Sequence, residues 1–365
     1  MSRRAQPLWL AGPSRFAALP PRAALAVAVA ALVLLLSAWI VPGGGEAAAP
    51  VTGQTDLGLY AAIVGGIRSG GDYYSVAAQA LRAGGYPLKP FLTFRLPTLA
   101  VVQATLPAVA MLALLAGVAA GVAIAWRARI NAWFVGRPAR WVALFLLAGG
   151  MVAFVQPGLV GFHEIWAGLL IAWSIALRSE SRWIEAAAIT LSAMLIRETA
   201  ALHALAMLAA ALIERRRRES LGWGAVLLVF VAILSLHARA AEMAAGPLDA
   251  VSPGWSGLHG PGLFADAMAK STVLTLLPWW LGAPVAMLAL TGWAAAPGGT
   301  GLRAALTFGG YALAVAALAR ADNFYWVLAA APAFLVGLAF LPDGLRDLRA
   351  RLLDRRRIRV QRIVR

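Results

Sequence analysis

Residues 54–97 read QTDLGLYAAIVGGIRSGGDYYSVAAQALRAGGYPLKPFLTFRLP. This is a polar, aromatic, glycine-punctuated island between two long apolar runs, and it carries two carboxylates, Asp56 and Asp72. The runs on either side, 23–41 and 98–125, each approach or exceed the roughly 20 apolar residues that a helix needs to cross a bilayer. The island therefore reads as a loop held at a water–lipid boundary, and its neighbours read as spans.

The rest of the chain supports that reading. Of 365 residues, 61% are hydrophobic and only 13% charged, where a soluble domain carries about 25% charge. The pattern predicts an all-α, polytopic transmembrane bundle. Candidate spans are 23–41, 98–125, 140–156, 161–177, 183–197, 199–213, 221–238, 271–293, 303–320 and 324–341, about ten in all. The first could be a signal peptide, but its basic leader and full-length apolar core favour an uncleaved anchor. The absence of cysteine excludes disulfides and thiolate chemistry, and four dispersed histidines do not form a metal cluster. No cofactor is expected. No phosphate-binding GxxxxGK[ST] motif and no internal repeat is present, which argues against an ATP-driven or inverted-repeat transporter.

The net charge of +16 does not point to nucleic acid, because the arginines sit in short runs at the ends of apolar segments. That is the distribution of cytoplasmic anchors beside anionic lipid. Arg3, Arg4, Arg15 and Arg22 place the leader, 1–22, inside. Arg127, Arg129, Arg137 and Arg140, then Arg178 and Arg182, then Arg215, Arg216, Arg217 and Arg218, mark inside loops, and the basic tail, 342–365, is inside as well. The single transmembrane domain, 23–341, then has both flanks in the cytoplasm and two substantial outer loops, 42–97 and 239–270. Between Arg182 and Arg215 both ends are inside, which predicts a hairpin of two short helices. Each arm rises only ~22 Å, so its turn, Arg197-Glu198, is expected in a recess below the outer surface.

Within the first outer loop, Leu57, Tyr60, Val64 and Ile67 recur at helical spacing, as do Tyr73, Val76, Ala77, Ala80 and Leu81. Each set predicts a short amphipathic helix lying along the membrane surface, split by Ser69-Gly70-Gly71 and ended by Gly84-Gly85. Asp56 and Asp72 stand at the helix starts, where capping is the ordinary role of an aspartate. Arg95 precedes the second span as either a snorkelling residue or a phosphate clamp. The second loop, GPLDAVSPGWSGLHGPGLF with Trp255, His259 and Asp266, is too rich in Gly and Pro for regular structure and reads as a substrate cover.

GDYYSVAAQALRAGGYP followed by TFRLPTLA resembles the first outer loop of GT-C-type glycosyltransferases of the polyprenyl-phosphate-mannose-dependent kind. The likeness covers roughly residues 54–105 in detail. It implies a GT-C-like bundle, while the Ala- and Gly-rich composition suggests a bacterial source and the arginine pattern puts the loop outside the inner membrane, in the periplasm of a Gram-negative cell. The resemblance also implies inverting transfer of a mannose-like sugar from a polyprenyl-phosphate donor to a lipid or glycan acceptor. A loop aspartate would take the acceptor's proton, with cations meeting the phosphate. Asp56 is nearer the end of the first span, where the family's carboxylate sits, whereas Asp72 fits the acidic–aromatic motif. Arg95 and Arg197 are the candidate phosphate ligands, and Tyr73, Tyr74 and Tyr86 line the same loop.

Polar groups elsewhere at membrane depth complete the candidate set. His163-Glu164 opens the fourth span as a cap or a cavity lip. Glu198 either neutralises Arg197 or shares its site, and His203 reads as a satisfied core residue. Arg320 and Asp322 lie in a tight outer turn with Tyr325 and Trp326, a common aromatic belt. Two other functions fit the composition: a transporter or flippase of a lipid-linked glycan, which needs no base, and a non-catalytic subunit of an envelope polysaccharide machine.

Overall fold

The computed structural model describes residues 6–40, 55–254 and 257–354, apart from the side chains of residues 321 and 322. The chain runs through α1 (Pro21–Ser37), α2 (Asp56–Arg68), α3 (Tyr73–Ala83), α4 (Thr98–Thr105), α5 (Ala108–Trp133), α6 (Arg137–Gly150), α7 (His163–Leu177), α8 (Trp183–Ile196), α9 (Ala201–Ile213), α10 (Arg217–Ala244), α11 (Pro261–Lys270), α12 (Trp279–Ala295), α13 (Gly298–Leu318), α14 (Ala331–Phe334) and α15 (Leu341–Leu352). Among the described residues there is no strand, only two isolated bridges. Three helices, α5, α10 and α13, are long and apolar enough to cross a membrane. The pair Asn323–Ala329 and Ala331–Leu352, bent by 61°, brings the number to four if it counts as one span. Shorter apolar helices, among them α1, α7, α8 and α12, pack around these, as expected of a membrane protein.

The core is aromatic where helices cross. Trp293 of α12 lies 5.8 Å from Trp126, 5.1 Å from Phe308 and 5.2 Å from Phe340, centroid to centroid. The indole N–H groups of Trp126 and Trp293 donate to the Ala172 and Phe334 carbonyls at 2.9 and 2.7 Å, so these buried rings leave no donor unmet. A Cβ at Gly168 would strike the Leu328 carbonyl. Glycine there lets Ala321–Ala329, a 3-10 segment, lie directly on α7.

Several boundaries differ from the sequence expectation, each for a local reason. The expected span 98–125 is broken at Leu106 and Pro107. Proline has no N–H to give the Gln103 carbonyl four residues back, and Arg68 at the end of α2 donates to that oxygen instead, at 2.7 Å. Helix α5 then continues to Trp133, so Arg127 and Arg129 sit on a helix and not in a loop. Helix α10 likewise exceeds 221–238 at both ends. The second loop was expected to be irregular through residue 270, yet Pro261–Lys270 is a helix whose residues Gly262 to Ala269 are all buried. Phe264 packs 5.6 Å from Phe334. Its Gly and Pro fall at the helix start, where Pro261 is at home.

The arginine-rich segments gather at one end of the bundle and the two loops at the other. At the first end, the leader is packed: Asp343 accepts from the backbone N–H groups of Leu8, Trp9 and Leu10 at 2.6, 2.8 and 2.9 Å, and Asp347 from Ser14 at 3.0 Å. The start of the expected basic tail is the amphipathic helix α15, which supplies these two carboxylates. At the opposite end, Arg82 of α3 holds Asp249 of the second loop through two bonds of 2.8 and 2.7 Å. The Leu88 N–H donates to the Ala250 carbonyl at 3.0 Å. The two loops are thereby one structure. Arg3, Arg4, residues 41–54, Trp255 and the arginines from Arg355 onward lie outside the described residues.

Candidate functional site

The site is built where Tyr60 of α2 meets Phe162 and His163 at the start of α7, and where Arg95 approaches Glu198 just before α9. Thr55, not Asp56, caps α2, with its Oγ1 accepting from the Gly58 N–H at 3.2 Å. That corrects the expected capping role of Asp56. As the first helical residue its carboxylate is released for other work, and Oδ1 accepts from the Tyr86 hydroxyl at 3.0 Å. Burial together with the neighbouring Asp56 charge pushes the Tyr86 phenol up to about 12. It therefore stays a proton donor at neutral pH and fixes one oxygen of Asp56, leaving the other free to accept.

From α2 a polar chain descends into the bundle. The Arg95 Nε donates to the Tyr60 hydroxyl at 3.2 Å, and the Arg95 guanidinium lies 4.0 Å from the Glu198 carboxylate. Glu198 is ion-paired with Arg197, whose Nε also bonds Glu164 at 2.5 Å. Arg197 is 2% exposed and the Glu164 residue 0%, while Glu198 is half-buried. Burial pushes the Tyr60 phenol up to about 12, against the pull of Arg95. Tyr60 is also 4.7 Å, centroid to centroid, from His163.

Around this chain the hydrogen bonding is incomplete. Both ring nitrogens of His163, Oε2 of Glu164, Oγ1 of Thr199 and Oδ1 of Asn323 are buried without a hydrogen-bond partner. His163 and Glu164 open α7, Thr199 follows the Arg197-Glu198 turn, and Asn323 sits in the 3-10 segment that touches both. Each unmet buried group costs about 1–3 kcal/mol. Such a concentration in one place is the signature of a site.

The structure links Arg95, His163, Glu164, Arg197 and Glu198 through Tyr60 and direct ion pairs, and it pairs Asp56 with Tyr86. Asp72 is exposed and caps α3, accepting from the Ser75 N–H at 3.1 Å. Tyr73 is buried and its hydroxyl donates to the Arg95 carbonyl, which orients that loop from behind. Tyr74 bonds His237 of α10 at 3.1 Å. Arg320 begins the 3-10 segment, and the side chain of Asp322 lies outside the described residues. His203 is a satisfied core residue, bonded to Thr307 at 2.9 Å and Ser174 at 3.1 Å.

Three members of the site, Tyr60, Thr199 and Asn323, escaped the sequence. Tyr60 read only as part of an apolar stripe, although its hydroxyl makes it amphipathic. Thr199 carried no signal of its own. Among the described residues no group of His, Asp and Glu is placed to hold a metal ion. An apolar groove of about 830 Å³ opens between α5 and α6, lined by alanines and leucines from Leu112 to Leu147, with Arg127 at one end and Pro157 at the other. No protein-family model, no curated protein and no solved structure matches the chain.

Proposed function

We propose that this protein is a membrane-embedded, inverting glycosyltransferase of GT-C-like architecture. In this reading about ten helices cross or enter the bilayer, with the arginine-rich end in the cytoplasm and the loop end facing the periplasm. The sugar, mannose-like by the resemblance of the first loop, comes from a polyprenyl-phosphate donor and passes to an extracytoplasmic lipid or glycan acceptor. The observation that carries the reading is the position of Asp56. Its carboxylate is freed from capping by Thr55, oriented by Tyr86 and set at the mouth of a buried polar cluster with unmet hydrogen bonds.

In the reaction Asp56 accepts the proton of the acceptor hydroxyl as that oxygen attacks the anomeric carbon. The bond from that carbon to the phosphate oxygen breaks with inversion, and polyprenyl phosphate leaves with the bonding electrons. Arg95, on the same loop, is the cation placed to meet the phosphate. Arg197 is enclosed by two carboxylates and serves to hold Glu164 and Glu198. The groove between α5 and α6 suits a polyprenyl chain, since its walls are hydrocarbon and it opens sideways.

The test is transfer of radiolabelled mannose from polyprenyl-phosphate mannose by purified protein supplied with membrane lipid extract. Wild type and Asp72→Asn should transfer, and Asp56→Asn should not. Transfer at the wild-type rate by Asp56→Asn removes the proposed base. Failure of the wild type to consume any polyprenyl-phosphate sugar removes the enzyme.

A further inference from the structure

The geometry points to His163, Glu164, Thr199 and Asn323 as the subsite that reads the hydroxyl groups of the transferred sugar, a proposal that rests on the glycosyltransferase reading above. The argument is one of donors and acceptors. The unmet oxygen of Glu164 can only accept, and so can Oδ1 of Asn323, whose amide nitrogen donates to the Tyr325 hydroxyl at 3.2 Å. Thr199 and His163 can each do either. An anion offers only acceptors and would leave Glu164 and Asn323 unmet. A sugar ring offers hydroxyls that donate and accept, and it satisfies all four.

Charge leads to the same conclusion. Within the connected cluster Glu164 and Glu198 balance Arg95 and Arg197, so its interior keeps no excess positive charge for a phosphate and suits a neutral polyol. The arrangement therefore divides the donor. Arg95, 17% exposed at its side chain, takes the phosphate at the mouth, and the ring enters below. Phe162, just before His163, meets Tyr325 of the 3-10 segment at 5.8 Å between centroids. The ring reaches them by parting the Ala321–Ala329 segment from the start of α7. Fixing hydroxyls in a buried pocket discriminates between sugars that differ in one configuration, because the wrong epimer leaves a buried partner unmet.

The test uses mannose, glucose and galactose on the same polyprenyl phosphate, with unglycosylated polyprenyl phosphate as an inhibitor. The variants are Thr199→Val and His163→Phe, which keep the side-chain shape while removing the unmet polar atoms. Removing an unmet buried group relieves the resting protein, so both variants should melt at or above the wild-type temperature. Their kcat/KM for the preferred donor should fall by about 10–100-fold, and the preference ratio among the three donors should shrink by a similar factor. Inhibition by polyprenyl phosphate, which lacks the ring, should stay unchanged. Wild-type preference ratios in both variants would overturn the proposal. So would a drop in melting temperature with an unchanged ratio, which makes these groups structural. A wild type that transfers none of the three sugars instead rejects the underlying enzyme reading.

Discussion

Each end of the bundle buries arginines against glutamates, and the two clusters are finished differently. At the arginine-rich end, Glu219 of α10 is shared by Arg178 at 2.9 Å and Arg303 of α13 at 3.0 Å. The Trp223 indole N–H donates to Glu219 as well, at 3.4 Å, and Glu214 binds Arg303 and Arg216, each at 3.0 Å. Charges alternate around the ring, and among the described side chains of the ring itself Nε of Arg303 alone is unmet. At the loop end, Arg197 and Arg95 are also paired, but five buried atoms around them have no partner. A closed network ties helices together, whereas an open one keeps bonding capacity for something that arrives. The difference separates scaffold from site more sharply than charge or burial does, since both clusters have both.

Substitutions can break that comparison in order of effect. Asp56→Asn should lower transfer by about 10²–10⁴-fold, the usual worth of a positioned general base, with no change in melting temperature. Single-turnover assays beside Asp72→Asn would check it, and equal loss in both would erase the distinction between the two aspartates. Glu219→Gln should do the reverse. It removes the charge that Arg178 and Arg303 share and leaves both to Glu214, and it should cost about 3–5 kcal/mol of stability, read by thermal unfolding in detergent. The ratio of rates on different donors should stay as in wild type in whatever protein remains folded. Asp72→Ala removes an exposed cap and should cost about 1 kcal/mol, a shift visible in the same melts, with transfer retained.

The smallest effect concerns the clasp between the loops. Its hydrogen bonds to Arg82 and to the Gly246 N–H hold the Asp249 carboxyl down at about 2. The folded value lies below that of the unfolded carboxyl, near ~3.9. The contribution is therefore fully present above that pH and is lost as the pH falls through about 2. Melting curves of wild type and Asp249→Asn should differ at neutral pH and converge as the pH approaches 2. A difference that persists unchanged at pH 2 would mean the clasp does not depend on this charge.

Much of the loop was legible in the sequence because its signals are local. Spacings of three and four located α2 and α3, and glycine pairs ended them. Asp72 caps as its position suggested. The reading of Asp56 failed by one residue, because Thr55 competes for the cap and a threonine before an aspartate gives no preference between them. The break into two short helices at Arg197-Glu198 followed from segment length and the arginines at both ends, an inference that needs no partners. What stayed hidden depends on distant partners. Arg178 and Glu219 are 41 residues apart and Arg303 and Glu219 are 84 apart, so the arginines counted as lipid anchors gave no sign of facing inward. The buried helix Pro261–Lys270 was concealed by flanking Gly and Pro, which mark its edges and not its interior. Thr199 and Asn323 matter only because of what surrounds them.

The hold of Asp343 on Leu8, Trp9 and Leu10 has a consequence for biosynthesis. Leu8 and Asp343 are 335 residues apart. At ~5–20 residues per second of translation, roughly 15–70 s pass between the making of one and the making of the other. During that interval the leader's backbone donors have no carboxylate to bind, and the arginine-rich end stays unlatched. Closure must follow the emergence of α15, so a nascent chain truncated before Asp343 should present that segment to proteases and chaperones, while one released after it should not.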